Sequence, residues 1–496
     1  LPIKEGPLKI RIKNLGGKKN MRTFTAYLNK LRTMRPNIYM GGEKISRDDP
    51  RLAGPMNNIK LTFDLAQDEK YKGLLTATSH ITGQEINRFT HIHRSPEDLL
   101  KKQEMTRTLC RLTPACIQRC MGVDMLNAIS VFTHEIDQAK GTSYYPRFLD
   151  YLKYFQENDL VGCAGQTDVK GDRKLRPHQQ KDPDLYLRIV ERRRDGIIVR
   201  GAKAHNSIAA YADEILVTPT RLLTKEEADW AVAFAIPADA SGIKQVVVAA
   251  APRARKILKA PVAEFGSCHS LTIFEDVLIP WERVFMCGEW EFGGRAASLF
   301  ALYHRHSYTG CKPAFTDVIM GATALVAEYN GVEGAQHINH KLADLISVAE
   351  LVYGAGIAAA VKSKSSSSGT YIPDVVFCNV GRRHAGESLY HEYQILCDVA
   401  GGLPATLPYE EDFYQEEVGS LLHKYIMRKS EISAENQHRC FRMIHDLIGS
   451  SFGAHRQIAG LHGGGSPIME VIALLANYDL KQKKEIAKHL AGITSR

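Results

Sequence analysis

Four side chains in two stretches of this chain have the types and spacing of a metal centre. In HRHSYTGCK, His304 and Cys311 lie seven residues apart, so on a helix they share one face. Far upstream, in ACIQRCMG, Cys116 and Cys120 are one turn apart and share a face in the same way. Two helices, each presenting one such pair, would close a site of three thiolates and one imidazole. That donor set suits zinc or an iron–sulfur cluster, and the spacing does not choose between them. Taken singly, each residue is better explained by ordinary structure than by a metal, because free cysteine is among the most buried residue types and a Cys pair at helical spacing is more often core than ligand.

The elements that would carry these pairs are helical. Phe24, Leu28 and Leu31 fall at helical spacing before a break at Arg35-Pro36. Ser95-Pro96-Glu97-Asp98 reads as a helix start: Ser as N-cap, Pro at the first position, acids in the first turn. That helix runs toward Cys110 and Leu112 until Pro114 interrupts it, and a fresh helix is expected to carry Cys116, Cys120, Met125, Leu126 and Ile129. From about residue 156 the texture changes. GQTDVKGDR is a polar, Gly-bearing loop, and LYLRIVERRRDGIIVRGAKAHNS reads as two strands around an Asp195-Gly196 turn. ILVTPT, WAVAFAIPA, KQVVVAAAP and HSLTIFEDVLIP continue a compact β-region. Its Gly- and Thr-rich loops are either a flavin bed or ordinary turn chemistry. After residue 290 long helical patterns return, with DVIMGATALVAEYNG, NHKLADLISVAELVYGAGIAAAVKS and ISAENQHRCFRMIHDLIGSSFGA, and small residues such as Gly354 and Gly356 allow close helix packing.

Composition bounds the function classes. At 496 residues the chain holds several domains, and 44% hydrophobic with 24% charged residues is ordinary for a globular protein. Ten scattered cysteines without a short-range framework point to a reducing, cytoplasmic setting. No apolar run is expected to span a membrane. The net charge of +9 fits anionic cofactors such as dinucleotides or coenzyme A and is too diffuse for a nucleic-acid footprint. Residues 1–20 are basic and lack an apolar period, and read as a disordered extension outside the core fold.

The order of helices, β-region and helices resembles that of the acyl-CoA dehydrogenase-like flavoproteins. TDVKGDR, DPDLYLRIVERRRDGIIVRGAKAHNS, FEDVLIPWERVF, YHRHSYTGCK and LHGGGSP resemble the 4-hydroxyphenylacetate 3-hydroxylase superfamily. The Cys-x3-Cys and His-x6-Cys pairs resemble its 4-hydroxybutyryl-CoA dehydratase branch, because the aromatic hydroxylase branch does not carry the cluster. The resemblance runs from about Met21 to the C-terminus. It implies an α+β chain with an N-terminal helical domain (21–155), a central β-barrel-like domain (156–290) and a C-terminal helix bundle (291–496).

The same resemblance implies FAD and a [4Fe–4S] cluster ligated by Cys116, Cys120, His304 and Cys311. The implied reaction is radical dehydration of 4-hydroxybutyryl-CoA to crotonyl-CoA, with vinylacetyl-CoA isomerase activity, in a homotetramer. His304 is expected to double as base, Tyr308 to donate to substrate or relay a proton, and Lys312 to stabilise negative charge. Gln118 is expected either to line the site or to lie at the surface. Gln166, Thr167, Asp168, Lys170, Gly171, His205, Asn206 and Ser207 match the segments that contact the flavin. Gly401-Gly402 matches the turn that approaches the dinucleotide phosphates of a neighbouring subunit.

The chain departs from that branch at two carboxylates. His269 stands where a glutamate is expected, and QIAGL has no acid where a second is expected, with His462 nearby in sequence. Gln166 replaces a methionine, and Ser207 replaces a threonine while keeping the hydroxyl. Dehydration of another hydroxyacyl-CoA therefore stays open, as do a cluster-free flavin monooxygenase and a purely structural cluster protein. A nucleic-acid-binding module rests on the basic extension alone.

Overall fold

A computed structural model describes residues 21–113 and 116–493; the expectations for residues 1–20 and for Pro114 fall outside them. Local signals act where expected. Thr23 caps the helix Phe24–Thr33 by accepting from the Ala26 amide at 3.2 Å, and Ser95 caps Pro96–Leu112 by accepting from Asp98 at 3.2 Å.

The β-region forms two sheets. The larger has six strands in the order Glu43–Ile45, Ile38–Met40, Ile243–Ala250, Ser267–Pro280, Gly196–Ser207 and Arg188–Arg192. Its one parallel pairing joins Ile38–Met40 to Ile243–Ala250, so the N-terminal region, read as mostly helical, supplies the two outermost strands at one side of the sheet. The smaller sheet has four strands in the order Val284–Cys287, Val232–Pro237, Glu214–Val217 and Gly162–Gly165. Neither sheet closes among the described residues, so the barrel-like expectation is corrected: each keeps two free edges. The Ser267–Pro280 strand crosses Gly196–Ser207 with two register shifts, and it sets His269 directly opposite Ser207.

Long helices cover the rest. Gly293–Tyr329 is a single helix of 37 residues, packed on Pro96–Leu112, Cys120–Lys140, Gln336–Val361 and Val375–Ala400. It tolerates Pro313 inside. Proline lacks the amide that would bond to the Thr309 carbonyl, and Gln103 Nε2 donates to that carbonyl instead at 3.3 Å. Close crossings depend on two glycines. A Cβ at Gly310 would lie 2.0 Å from Thr106 Oγ1, and one at Gly356 would lie 2.1 Å from Thr309 Oγ1. The stretch read as one helix over ISAENQHRCFRMIHDLIGSSFGA is two, Ala434–Ile448 and Ser451–His462, because Ser450 caps the second by accepting from Gly453 at 3.0 Å.

By length and composition alone, Gln336–Val361 and the segment Ser451–Asn477, which holds the helices Ser451–His462 and Pro467–Asn477, are long and apolar enough to cross a membrane. The second is only 11% buried, and Leu475 and Leu490 on the C-terminal helices are 63% and 80% exposed.

Candidate active site

The helix Gly293–Tyr329 presents His304 and Cys311 toward the start of Cys120–Lys140. Cys120, Asp124 and His304 bring their ligand atoms within 4.8 Å of one another. Cys116 does not sit on that helix as expected. The helix starts at Cys120, and Gln118 takes a left-handed φ of 59°, which breaks the helical path behind it. A tertiary bond holds that conformation: the Tyr211 hydroxyl donates to Gln118 Oε1 at 3.1 Å. Gln118 is buried and lines the site.

The three thiols still converge. Cys116 accepts from the thiols of Cys120 and Cys311, which pulls Cys116 well below the usual thiol range and pushes its two donors well above it. Burial, and then Cys116, push a fourth thiol, Cys110, up to about 12. The Arg456 guanidinium faces Cys116, Cys311 and Cys110, lies over the Phe315 ring at 4.7 Å, and leaves its buried Nε without a partner among the described residues. A buried cation aimed at a set of soft donors suits an anionic metal–sulfur group, and three sulfurs with one imidazole are a donor set such a group accepts.

Sequence reasoning missed Asp124. It is fully buried, and its Oδ1 accepts from Lys102 Nζ at 3.0 Å and Ser307 Oγ at 2.9 Å, while Oδ2 lies 3.1 Å from His304 Nδ1. The signal was an acid one turn after Cys120, the one charged residue between Cys120 and Thr133. His304 also stacks on Phe300, with ring centroids 5.7 Å apart and planes 3° apart, so its ring is fixed on two sides.

Tyr308 and Lys312 are buried and already engaged. The Tyr308 hydroxyl donates to the Gly460 carbonyl at 2.5 Å beneath Arg382, and burial pushes it up to about 12. Lys312 Nζ donates to both oxygens of Glu392, one at 2.6 Å, and to Thr316 at 3.1 Å. Burial pulls the lysine down, and the ion pair opposes that pull. Glu392 is a second buried acid, and no local pattern singles it out.

On the other side of the cysteines, Ser207 Oγ lies 2.9 Å from His269 Nδ1, and His269 Nε2 lies 3.0 Å from His455 Nε2 and 3.4 Å from Gln118. Burial and then His455 push His269 down to about 4. The imidazole that meets His269 is therefore His455; His462 instead acts electrostatically on His205. The flavin-loop residues are brought together as a strap. Asp168 pairs with Lys203 at 2.6 Å, Lys203 also holds the Gln166 carbonyl at 3.0 Å, and the Ala204 amide donates to the Thr167 carbonyl at 2.7 Å. Lys170 accepts from the Tyr186 hydroxyl through its carbonyl at 2.7 Å, Gly171 has φ 54°, and His205 has φ 56° with its side chain exposed. Beside them, Asn206 Oδ1 and Thr218 Oγ1 are buried without partners among the described residues, as donors and acceptors awaiting a polar ring system are. Gly401-Gly402 ends the helix Val375–Ala400 at an open turn with no atom near an added Cβ.

The chain matches the family model for the 4-hydroxyphenylacetate 3-hydroxylase N terminal over residues 23–286 and that for the C terminal over residues 294–492. It is 39% identical over 489 residues to the 4-hydroxybutyryl-CoA dehydratase/vinylacetyl-CoA-Delta-isomerase of Clostridium aminobutyricum, covering 95% of this chain and 100% of that protein. It is 28% identical over 474 residues to the oxygenase component of 4-hydroxyphenylacetate 3-monooxygenase of Thermus thermophilus, covering 94% and 96%. An oxygen-tolerant archaeal 4-hydroxybutyryl-CoA dehydratase from N. maritimus has a similar structure, with a TM-score of 0.91 and 37% identity over 96% of each chain. The oxygenase HpaB complexed with FAD gives a TM-score of 0.80 at 25% identity, over 95% of this chain and 98% of that one.

Proposed function

Since the chain belongs to the 4-hydroxyphenylacetate 3-hydroxylase family, we propose that it is a lyase of the 4-hydroxybutyryl-CoA dehydratase type, with vinylacetyl-CoA isomerase activity. The observation that carries this reading is the convergence of Cys116, Cys120 and Cys311 with the Asp124–His304 pair.

In this reading Cys116, Cys120, Cys311 and His304 hold a [4Fe–4S] cluster, and the strap from Gln166 to Gly171 with His205–Ser207 seats FAD. Together these groups supply one-electron chemistry and a Lewis acid for the leaving hydroxyl. The chain's own residues supply placement and proton handling. Asp124 holds the Nδ1 side of the His304 ring, so Nε2 is the atom presented to iron or to a substrate proton. His269, kept neutral by burial and tethered by Ser207, stands with His455 as the proton-handling pair where carboxylates are expected. Tyr308 and Lys312 fix the packing around the site through Gly460 and Glu392, and act on substrate only by giving up those partners.

The imidazole pair is also the observation that favours a second reading, in which the same chemistry acts on a different hydroxyacyl-CoA. A homotetramer is supported by the open Gly401-Gly402 turn and by the exposed Leu475 and Leu490. The ten free cysteines fit a reducing cytoplasm.

The test is oxygen-free purification followed by incubation with 4-hydroxybutyryl-CoA, with crotonyl-CoA followed by mass and iron and flavin quantified on the same sample. Turnover with about four irons and one flavin per chain is expected for one such cluster. Both cofactors without turnover would move the substrate to another hydroxyacyl thioester. Flavin without iron would refute the ligand set and favour a monooxygenase.

A further inference from the structure

The helix Ser451–His462 is pinned to the part of Gly293–Tyr329 that carries Cys311, and two contacts do the pinning. The Tyr308 hydroxyl, three residues before Cys311, donates to the Gly460 carbonyl at 2.5 Å. The Phe315 ring, four residues after Cys311, lies under the Arg456 guanidinium at 4.7 Å. Arg456 and Gly460 are one helical turn apart, so these two anchors bracket Cys311 and hold the guanidinium beside it. The preceding residue, His455, meets His269 at 3.0 Å. Consecutive positions of one helix thus reach the imidazole pair and the sulfurs.

Arg456 has no anion of its own. It keeps some exposure, but its Nε is buried without a partner, and it makes no ion pair among the described residues. The groups that face it most strongly are Cys116, Tyr393, Cys311 and Cys110, none of them a carboxylate. Glu392, next to Tyr393, is already engaged with Lys312 and with Thr316 at 2.9 Å. The other cations around the ligand side chains are balanced: Lys102 pairs with Asp124 at 3.0 Å, and Lys312 pairs with Glu392. A largely buried cation with no counter-charge is unfavourable until an anion stands before it.

The ligand set supplies that anion. A [4Fe–4S] core with two positive charges, three thiolates and a neutral imidazole is left with a net charge of about −1, which one guanidinium cancels. We propose that Arg456 is the counter-cation of the cluster, neutralising it and raising its reduction potential. The proposal rests on the ligand set Cys116, Cys120, Cys311 and His304 given above. A cation beside a metal–sulfur group favours the reduced, more negative state, so removing it lowers the potential. Arg456 acts through the cluster and is a positioning residue, distinct from the His269–His455 pair that its own helix also reaches.

The flavin- and iron-loaded enzyme, kept free of oxygen, is reduced stepwise at controlled potential. Cluster reduction is followed by electron paramagnetic resonance in wild type, Arg456→Lys and Arg456→Gln. Arg456→Gln is expected to lower the reduction equilibrium constant about tenfold, which is about 59 mV for one electron, with FAD content unchanged. Arg456→Lys keeps the charge and should recover most of that loss. Equal potentials in wild type and Arg456→Gln overturn the proposal. So does a lysine variant that falls as far as the glutamine one, because packing rather than charge would then be at work. If Arg456→Gln does not keep its cluster, iron per chain decides: iron restored by lysine supports the counter-cation, and iron lost equally from both variants overturns it. A KM for acyl-CoA that rises while the potential stays fixed assigns the guanidinium to substrate and equally overturns it. Flavin without iron in wild type removes the ligand set and this proposal with it, whereas a loaded cluster indifferent to the charge at Arg456 sinks this proposal alone.

Discussion

Asp124 Oδ2 lies 3.1 Å from His304 Nδ1, while the other oxygen of the same carboxylate holds Lys102 and Ser307. One acid therefore ties the helices Pro96–Leu112, Cys120–Lys140 and Gly293–Tyr329 at the point where the imidazole is presented. Asp124→Asn keeps the shape but removes the charge, and it leaves Lys102 buried without a counter-ion. Activity should fall about 10- to 100-fold, as for other groups that orient a metal-binding histidine. Iron per chain measured beside turnover distinguishes a misdirected His304 from a lost cluster; unchanged turnover would show that the ring is oriented by Phe300 alone.

Cys311→Ser and Cys116→Ser each remove one of the three converging sulfurs. Both should purify with less than half the wild-type iron but with FAD retained, because the flavin strap is built on the Asp168–Lys203 pair and makes no bond to either cysteine. Iron and flavin assays on the same sample check this, and equal iron in variant and wild type would remove these thiols from the ligand set.

Lys312 and Glu392 form a buried ion pair, and buried pairs are sensitive to the loss of one member. Glu392→Gln should lower stability by about 3–5 kcal/mol through the stranded lysine, and the double variant Lys312→Met/Glu392→Leu should recover most of it. Urea unfolding of both variants is the measurement. Equal losses in single and double variants would mean that packing, not charge, holds these helices together.

Burial pushes His438 down to about 4 and holds His93 and His306 well below the ordinary range. All three are neutral in the fold and take up a proton near pH 6.5 once unfolded. Below that pH the unfolded chain binds protons that the native chain refuses, so stability is fully present above about 6.5 and lost as pH falls toward 4. Each should cost on the order of 1–3 kcal/mol across that window. Unfolding midpoints that stay flat from pH 7.5 to 5 would contradict it, and His438→Asn should make the profile shallower.

Much of the frame was legible because its signals are local. Ser95 and Thr23 cap their helices through residues three positions away, and the strands around Asp195-Gly196 pair as a hairpin. His304 and Cys311 share a face because helical spacing is a local rule. The partners that tune them were not legible. Asp124 is 180 residues from His304, Glu392 is 80 from Lys312, and His455 is 186 from His269, so no spacing rule connects them. Cys116 was misplaced for the same reason. Tyr211, 93 residues away, holds Gln118 out of the helix that local pattern would continue.

Gly310 and Gly356 make no hydrogen bond to the site, yet each lies where one added methyl would overlap a neighbouring helix. The spacing of the helix Gly293–Tyr329 from its neighbours Pro96–Leu112 and Gln336–Val361 is thus set by absent side chains as much as by present ones. Natural variation at these two positions should be as restricted as at the cysteines. A survey that ranks positions by constancy alone would then count two residues with no chemistry among the catalytic ones.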